Sequence, residues 1–475
     1  MLQLFAIAYA LLELGGIAAA VHAILNARSS QGSIAWAISL IAMPAIAVPL
    51  YLIFGRNRFL GYVKARRDLD NRIAEEIQSL TITAEGYAET ANNADGRDLD
   101  ALEKLALMAF TGGNKLELLV DGEAIFAAMF DTIERARHYV LVQFFIVRDD
   151  QIGRQMQQLL ARKSSQGVRV YFLYDEIGSY SLPGKYIDEC RQAGIEIRAF
   201  RTRQGRFNRF QVNFRNHRKT VVVDGETAFI GGANLGDEYL GRDPKIGDWR
   251  DTYVQISGPA VTATQIIFVE DWNWASGRLI EQLNWSSSAI PNSTTTALAL
   301  PSGPADKLES CNLMFLRAIN AAKDRFWIAS PYFVPNAEIV AALQLAGLRG
   351  VDVRILLPAN PDHLLVHLAS FDYIRRTGSD NVRFFRYTEG FMHQKVFLVD
   401  DFAAGIGTAN LDNRSFRLNF ELTLLVACET FAGDVQTMLE KDFAAAEPVE
   451  ADEINLRGLG FRLASKSAGL LSPIL

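Results

Sequence analysis

Two short runs of residues carry the chemistry of this chain. His217-Arg218-Lys219 is followed by Asp224 and by Gly231-Gly232-Ala233-Asn234, and His393-Gln394-Lys395 is followed by Asp400 and by Gly407-Thr408-Ala409-Asn410. Matched residues are separated by 176 positions throughout, from 217 to 393 and from 234 to 410 alike, with no insertion inside the motif. Phosphoryl chemistry without a metal needs a nucleophile or base, a proton donor for the leaving oxygen, and cations and amides to hold the non-bridging oxygens. Two copies of His, Lys and Asn supply each of these roles twice. A lone His-x-Lys would be an ordinary surface strand, whereas two in fixed register are not. One His attacks phosphorus and becomes a phosphohistidine; the other, as imidazolium, protonates the leaving alcohol and then deprotonates the incoming one. Lys219, Lys395, Asn234 and Asn410 bind the phosphate oxygens. The near symmetry of the two copies does not order the histidines.

Each imidazole also needs an acceptor on its second nitrogen. Glu421 in Asn419-Phe420-Glu421 and Asp251 in Trp249-Arg250-Asp251 fit this role, Asp251 being displaced by a short insertion. Asp224 and Asp400 belong to the repeated motif and stand with the catalytic candidates, although an Asp heading a tight turn ordinarily caps backbone amides.

The elements that must position these groups are legible from the apolar pattern. Thr220 to Val223, Asp224-Gly225 and Ala228 to Ile230 read as strand, turn and strand, as do Val396 to Val399, Asp400-Asp401 and Ala403 to Ile406. Alternation places His and Lys, two apart, on one face of the first strand. Upstream, Tyr139 to Phe145, a helical Gln151 to Lys163 and Gly167 to Leu173 are matched by Phe326 to Ala329, a helical Ala337 to Leu348 and Gly350 to Leu357. Strands alternating with helices indicate α/β sandwich halves, related by a pseudo-two-fold that sets His217 and His393 across one phosphate. The expected boundaries are 1–58, a membrane hairpin; 59–109, a juxtamembrane helical linker; 110–285, the first half; 286–304, a Ser/Thr/Asn/Pro-rich linker; 305–450, the second half; and 451–475, a tail.

Residues Leu2 to Leu25 and Ile34 to Phe54 are each long and apolar enough to span a bilayer, joined by the polar run from Asn26 to Ser33. No basic leader precedes the first span, which argues against a cleaved signal. Arg56, Arg58, Lys64, Arg66, Arg67 and Arg72 follow the second span while the loop holds only Arg28, so both termini and the catalytic halves are expected in the cytoplasm. Glu13, costing about 2.5–3.5 kcal/mol at mid-membrane, is a candidate for a contact inside the bilayer. Arg201, Arg203, Arg206, Arg209 and Arg215 alternate with Phe207, Phe210 and Phe214, which suits anionic headgroups, and the tail from Leu456 has Arg457, Arg462 and Lys466 among apolar residues. His363 and His367, four apart on a helix, fit the mouth of an active site better than a metal pair.

Composition closes off other classes. The chain has 475 residues, 48 Lys plus Arg against 54 Asp plus Glu, and 49% hydrophobic residues; its pI is about 5.7 and its mean hydropathy +0.07. The acidic balance argues against nucleic acid as the main partner. Cys190, Cys311 and Cys428 are too few and too scattered for a disulfide framework or a zinc site.

The paired motifs resemble the HKD motifs of the phospholipase D superfamily. The runs Gly232-Ala233-Asn234-Leu235-Gly236-Asp237-Glu238-Tyr239, Ser330-Pro331-Tyr332-Phe333-Val334-Pro335 and Gly407 to Glu421, with the hairpin ending Tyr51-Leu52-Ile53-Phe54-Gly55-Arg56, are similar to bacterial cardiolipin synthases of that superfamily. The resemblance implies two phospholipase D-like α-β-α halves behind a transmembrane hairpin in a bacterial inner membrane. It implies a transphosphatidylation in which one phosphatidylglycerol passes its phosphatidyl group to a histidine, glycerol leaves, and a second phosphatidylglycerol takes the group. No cofactor or metal is called for, in keeping with the lack of a Walker or dinucleotide-binding glycine motif. His217 is then the nucleophile and His393 the proton shuttle. Gly232 departs from the wider superfamily, where many members have Ser; Thr408 in the second copy supplies the matching hydroxyl for phosphate. Water or another alcohol as acceptor, a nuclease of the same superfamily, or an inactive lipid-binding scaffold are the competing readings, and the oligomeric state is open, a homo-oligomer being one reading.

Overall fold

The computed structural model describes residues 2–26, 30–55, 59, 61–63, 99–202, 213–244, 246–450 and 452–474. Arg28, the basic residues expected between 56 and 72, and residues 203–212 of the arginine-rich segment lie outside the described residues.

Three apolar helices open the chain: α1 (Leu2–Asn26), α2 (Ser30–Ala42) and α3 (Pro44–Phe54). The second span is therefore not one helix. It breaks at Met43 (φ −141°, ψ 62°), because Pro44 has no amide hydrogen and disfavours a helical residue before it. Within α1, Tyr9–Asn26 is long and apolar enough to cross a membrane, and α3 is a shorter apolar helix. Small residues bring the helices together: Ala20 and Ala23 are buried with Leu40, Ala47 and Tyr51, and a Cβ on Gly16 would sit 2.5 Å from the Leu40 carbonyl. The Tyr51 hydroxyl lies 2.7 Å from His22 Nδ1, linking α1 to α3. Glu13 faces outward from this bundle.

The body is built on one large mixed sheet. In the first half lie β1 (Thr111–Val120), β2 (Tyr139–Phe144), β3 (Arg169–Asp175), β4 (Glu196–Phe200), β5 (Thr220–Val223), β6 (Thr227–Gly231) and β7 (Thr252–Ser257). The second has β8 (Thr295–Ser302), β9 (Arg325–Ala329), β10 (Asp352–Pro358), β11 (Val382–Tyr387), β12 (Val396–Val399), β13 (Ala403–Gly407), β14 (Asn419–Ala427) and β15 (Ala446–Val449). The first half runs β1-β7-β6-β5-β2-β3-β4 and the second β8-β14-β13-β12-β9-β10-β11, so the strand order repeats, with β15 added at the far edge. β1 and β8 pair antiparallel at the seam, with a register shift between Thr111 and Asn114 where Gly113 takes φ +70°.

That seam corrects the expected linker. Residues 295–302 fall inside the stretch 286–304, yet they form a central strand whose Ala297, Leu298, Ala299 and Leu300 are buried. Thr and Pro gave the segment a loop-like composition, while its β-branched residues and small side chains suit a strand covered on both faces.

Helices α4 (Asp121–Glu134), α5 (Gln151–Ser165) and α6 (Gly184–Gln192) help close one core of the first half, and α8 (Ser310–Ala321), α9 (Ala337–Leu348) and α10 (Leu364–Thr377) do the same for the second. A third core spans both halves under α7 (Ala260–Ser276) and α11 (Glu429–Ala444). The start caps of α5 and α9 are equivalent: Asp150 accepts the Gly153 amide and Asn336 that of Ile339, both at 3.0 Å.

The segment after α3 enters this shared core. Phe59 is fully buried against Phe214, Trp274 and Phe420, and its amide donates to Pro304 O at 3.1 Å. Tyr62 donates its hydroxyl to Asp271 at 2.7 Å. The expected linker is thus, at its start, part of the folded body. Phe59→Ala should cost about 3 kcal/mol or more of stability, as large aromatic truncations in packed cores do, and thermal unfolding of the solubilised protein measures it.

Candidate active site

The two motifs meet through backbone pairing between the halves. Arg215–Asn216 pairs with Asn419–Phe420, and the His217 amide donates to Phe420 O at 2.9 Å. Phe391–Met392 pairs with Trp249–Arg250, and the His393 amide donates to Arg250 O at 2.8 Å. Each histidine is thereby delivered beside the carboxylate of the opposite half. His217 Nδ1 lies 2.9 Å from Glu421 Oε2, and His393 Nδ1 lies 2.9 Å from Asp251 Oδ2. A proton on Nδ1 held by a carboxylate leaves the lone pair on Nε2, the tautomer needed to attack phosphorus or accept a proton. Both residues chosen as orienters occupy that position; their exchange across the halves was not legible in the sequence.

His217 to Lys219 and His393 to Lys395 precede β5 and β12 rather than lying within them. The expected alternation on one strand face is replaced by a tighter arrangement, in which each ammonium donates to the carbonyl of its own motif histidine at 2.5 Å. Lys219 and Lys395 are buried and feel each other as well as Glu421 and Asp251. Burial lowers Lys219 to about 7 and Lys395 to about 8. It also lowers His217 to about 4, with Glu421 pulling the other way, and holds His393 well below its ordinary value, assisted by the charge of Lys395. Both imidazoles are therefore neutral at pH 7.

The carboxylates differ. Glu421 accepts from His217, from the Thr408 hydroxyl at 2.6 Å, from Ser415 at 3.0 Å and from the Asn419 amide at 3.1 Å. Burial alone would raise its carboxyl, but His217, Lys219 and Thr408 outweigh it and hold the group below its ordinary value. Asp251 accepts from His393, from its neighbour's amide Thr252 N at 2.8 Å and from Trp249 Nε1 at 3.3 Å, and burial raises it to about 6. Glu421 is firmly ionised; Asp251 is close to its titration point.

This difference explains the unequal glycine positions. A Cβ on Gly232 would stand 2.1 Å from Asp251 Oδ1, so the first copy has no room for a hydroxyl-bearing residue. In the second copy the hydroxyl of Thr408 is bound to Glu421. Thr408, expected to touch phosphate, instead supports the carboxylate, because a buried ionised oxygen is the stronger acceptor within reach.

The turn aspartates cap backbone amides, as their place at a hairpin turn leads one to expect. Asp224 accepts the amides of Arg137, His138 and Tyr139 at 2.7–2.8 Å, and Asp400 those of Lys323, Asp324 and Arg325 at 2.9–3.2 Å. Both take φ near +50°, at 53° and 49°. They tie each motif hairpin to the start of β2 or β9, and their carboxylates are engaged there rather than with a reacting group. Asp400→Ala should therefore lower stability by about 3 kcal/mol while the turnover of the folded fraction stays within about twofold; thermal melts and active-site-normalised rates separate the two.

Of the amides, Asn234 accepts from Ile146 N at 3.0 Å and donates to Tyr239 at 2.6 Å, two of the four bonds its side chain can make. Asn410 is buried, its backbone amide donates to the Ser415 hydroxyl at 3.0 Å, and its side-chain oxygen has no hydrogen-bond partner among the described residues.

A supporting group was not anticipated. Asp271, fully buried, accepts from Tyr62, Gln143, Asn216 and the Arg218 guanidinium, whose Nε also donates to the Glu421 carbonyl at 3.0 Å. The signal available was Glu270-Asp271 inside the otherwise apolar run Ile266 to Trp272, since a carboxylate in a buried helix must find donors.

Known proteins place this geometry. The family model described as cardiolipin synthase, PLD-like domain, matches residues 129–247 and 315–443, and a phospholipase D-nuclease N-terminal model matches 16–56. Cardiolipin synthase A of Pseudomonas fluorescens (strain SBW25) is 49% identical over 100% of this chain and 99% of its own length. Cardiolipin synthase A of Pseudomonas entomophila (strain L48) is 49% identical over 98% of this chain and 97% of its own. Among solved structures, phosphatidylserine synthase of Haemophilus influenzae Rd KW20 shares the fold with a TM-score of 0.61 at 15% identity, covering 79% of this chain and 99% of that one. With two matched domains that each contribute one histidine and the other's carboxylate, the chain belongs to the cardiolipin synthase family of phospholipase D-like proteins.

Proposed function

We propose that the chain is a phosphatidyltransferase that makes cardiolipin and glycerol from two molecules of phosphatidylglycerol. The observation that carries this reading is the reciprocal pair His217–Glu421 and His393–Asp251, one built from each half and shared by both. His217 Nε2 attacks the phosphorus of the first lipid, forming the P–N bond as the P–O bond to glycerol breaks. His393, protonated as the phosphodiester's negative charge enters the site, gives that proton to the departing oxygen. The terminal hydroxyl of the second phosphatidylglycerol then passes its proton to His393 and attacks phosphorus, and the P–N bond breaks to free His217. Lys219, Lys395, Asn234 and Asn410 hold the non-bridging oxygens. The firmly ionised Glu421 suits the nucleophile, whose ring carries positive charge while phosphorylated. Asp251, near its titration point, suits a ring that must take and release a proton.

The repeated strand order supports a pseudo-two-fold through the catalytic centre. The hairpin of α1 with α2–α3 is read as the membrane anchor, with the catalytic body on the cytoplasmic side as the charge distribution around the spans indicates.

The test is mass spectrometry of lipids and released glycerol after the purified protein meets phosphatidylglycerol vesicles in EDTA, with His217→Ala in parallel. Equal cardiolipin and glycerol, lost in the variant, is the expected result. Phosphatidic acid alone makes water the acceptor, and no turnover overturns the assignment.

The site also sets a pH window. Below about 6 Asp251 takes up a proton and no longer holds the His393 ring; above about 7 to about 8 Lys219 and Lys395 lose theirs and the phosphodiester loses its cations. The profile of kcat/KM, which follows the free enzyme, should therefore be a narrow bell between those limits. Asp251→Asn should remove its acid limb.

A further inference from the structure

The last helix, α12 (Leu459–Leu470), packs on α10 with its polar and small residues inward. Ser465 is fully buried and donates to Leu368 O at 2.7 Å, Ala468 is buried, and Phe461 sits edge-on to Phe371 at 5.0 Å. The leucines point the other way. Leu459, Leu463 and Leu470 are 79%, 66% and 81% exposed, and Leu456 lies exposed just before them. At 100° per residue Leu459, Leu463, Lys466 and Leu470 share one stripe, opposite Ser465 and Ala468. A helix packed only onto its own domain would turn this stripe inward.

The stripe runs toward the start of α10 and the cleft beside it. Contacts of Ser465 with Leu368 and Phe461 with Phe371 set α12 antiparallel to α10, which brings Leu470 toward Leu364 and Leu365, themselves exposed at the start of α10. Beside them lies a shallow cleft lined by Tyr332, Asp362, His363, Val366 and His367 among others. Asp362 accepts from the Tyr332 hydroxyl at 2.6 Å, and Phe333, also in the lining, pairs with Leu411 next to Asn410. The basic residues of α12, Arg462 and Lys466, are exposed, and the helix has no acidic residue.

We propose that the outward leucine face of α12, with Leu364 and Leu365, docks on the surface of an anionic bilayer and seats the cleft between Tyr332 and His367 against that membrane. The choice of occupant rests on the function proposed above, since a lipid substrate must enter from a bilayer, and on the basic flank, which complements anionic headgroups. Docking is a second attachment, at the chain's far end from the hairpin.

The experiment uses the full-length protein in proteoliposomes of phosphatidylglycerol and phosphatidylethanolamine. A nitroxide on Leu463→Cys, in a Cys428→Ser background, reports collisions with oxygen and with a water-soluble nickel chelate; Asp434→Cys on α11 serves as the aqueous control. The expected result is oxygen contact exceeding nickel contact at 463 and the reverse at 434. Leu459→Ser/Leu463→Ser/Leu470→Ser should lower turnover of vesicle phosphatidylglycerol about tenfold and leave turnover in detergent micelles within twofold. A label at 463 open to the nickel chelate overturns the proposal, as does one shielded from both reagents, which would mean a protein partner. Lipid contact at 463 in a protein that makes no cardiolipin would uphold docking and refute the transferase reading instead.

Discussion

Replacing either His217 or His393 by Ala should lower the rate of cardiolipin formation about 10⁵-fold, and replacing both should do no further harm. Two independent sites, one per motif, would lose about half their activity in each single variant. A single shared site loses nearly everything at the first substitution, because each ring depends on the other's half: Glu421 holds His217 and Asp251 holds His393. The roles separate with a donor that leaves without a proton. On a 4-nitrophenyl phosphatidyl ester, His393→Ala should recover a burst of nitrophenol equal to the enzyme present, since the attack by His217 no longer needs an acid. His217→Ala should show no burst. A burst from His217→Ala and none from His393→Ala would reverse the assignment.

Much of this was legible before the fold. The repeat at a spacing of 176 residues named both histidines, both lysines and both asparagines, and the paired strand-helix-strand pattern upstream formed as expected, with α9 at Ala337–Leu348. What stayed hidden depends on contacts between segments far apart in the chain. The exchange of carboxylates follows from two-residue pairings such as Arg215–Asn216 with Asn419–Phe420, too short to leave a periodic signal. β8 was concealed by Thr, Ser and Pro because a strand buried on both faces need not alternate. Thr408 looked like a phosphate ligand because its register fits one; only the position of Glu421, 13 residues on, shows where the hydroxyl goes. Asp224 and Asp400 show the reverse case, where turn chemistry alone indicated capping and the motif's habit of grouping suggested catalysis.

Glu421→Gln should lower kcat by about 10³–10⁴-fold with little change in KM, the range expected when a histidine loses the carboxylate that fixes its tautomer. The amide can present either its oxygen or its nitrogen to His217 Nδ1. Thr408, Ser415 and Asn419 all donate toward Glu421, so the donors already in place compete for the one remaining oxygen and press the nitrogen toward the ring. Nδ1 then becomes the acceptor, the proton moves to Nε2, and the attacking lone pair is gone. Asp251→Asn should be milder, about 10²–10³-fold, because Asp251 has fewer donors around it and its amide oxygen can still face His393. The two variants also part in their pH dependence. Glu421→Gln keeps the acid limb that Asp251 imposes near 6, and Asp251→Asn loses it. Equal losses with the acid limb intact in both would mean that neither carboxylate sets a tautomer and that the rings are held by backbone pairing alone. Unequal losses in the stated order tie the difference between Glu and Asp, and between Thr408 and Gly232, to the division of labour between nucleophile and proton carrier.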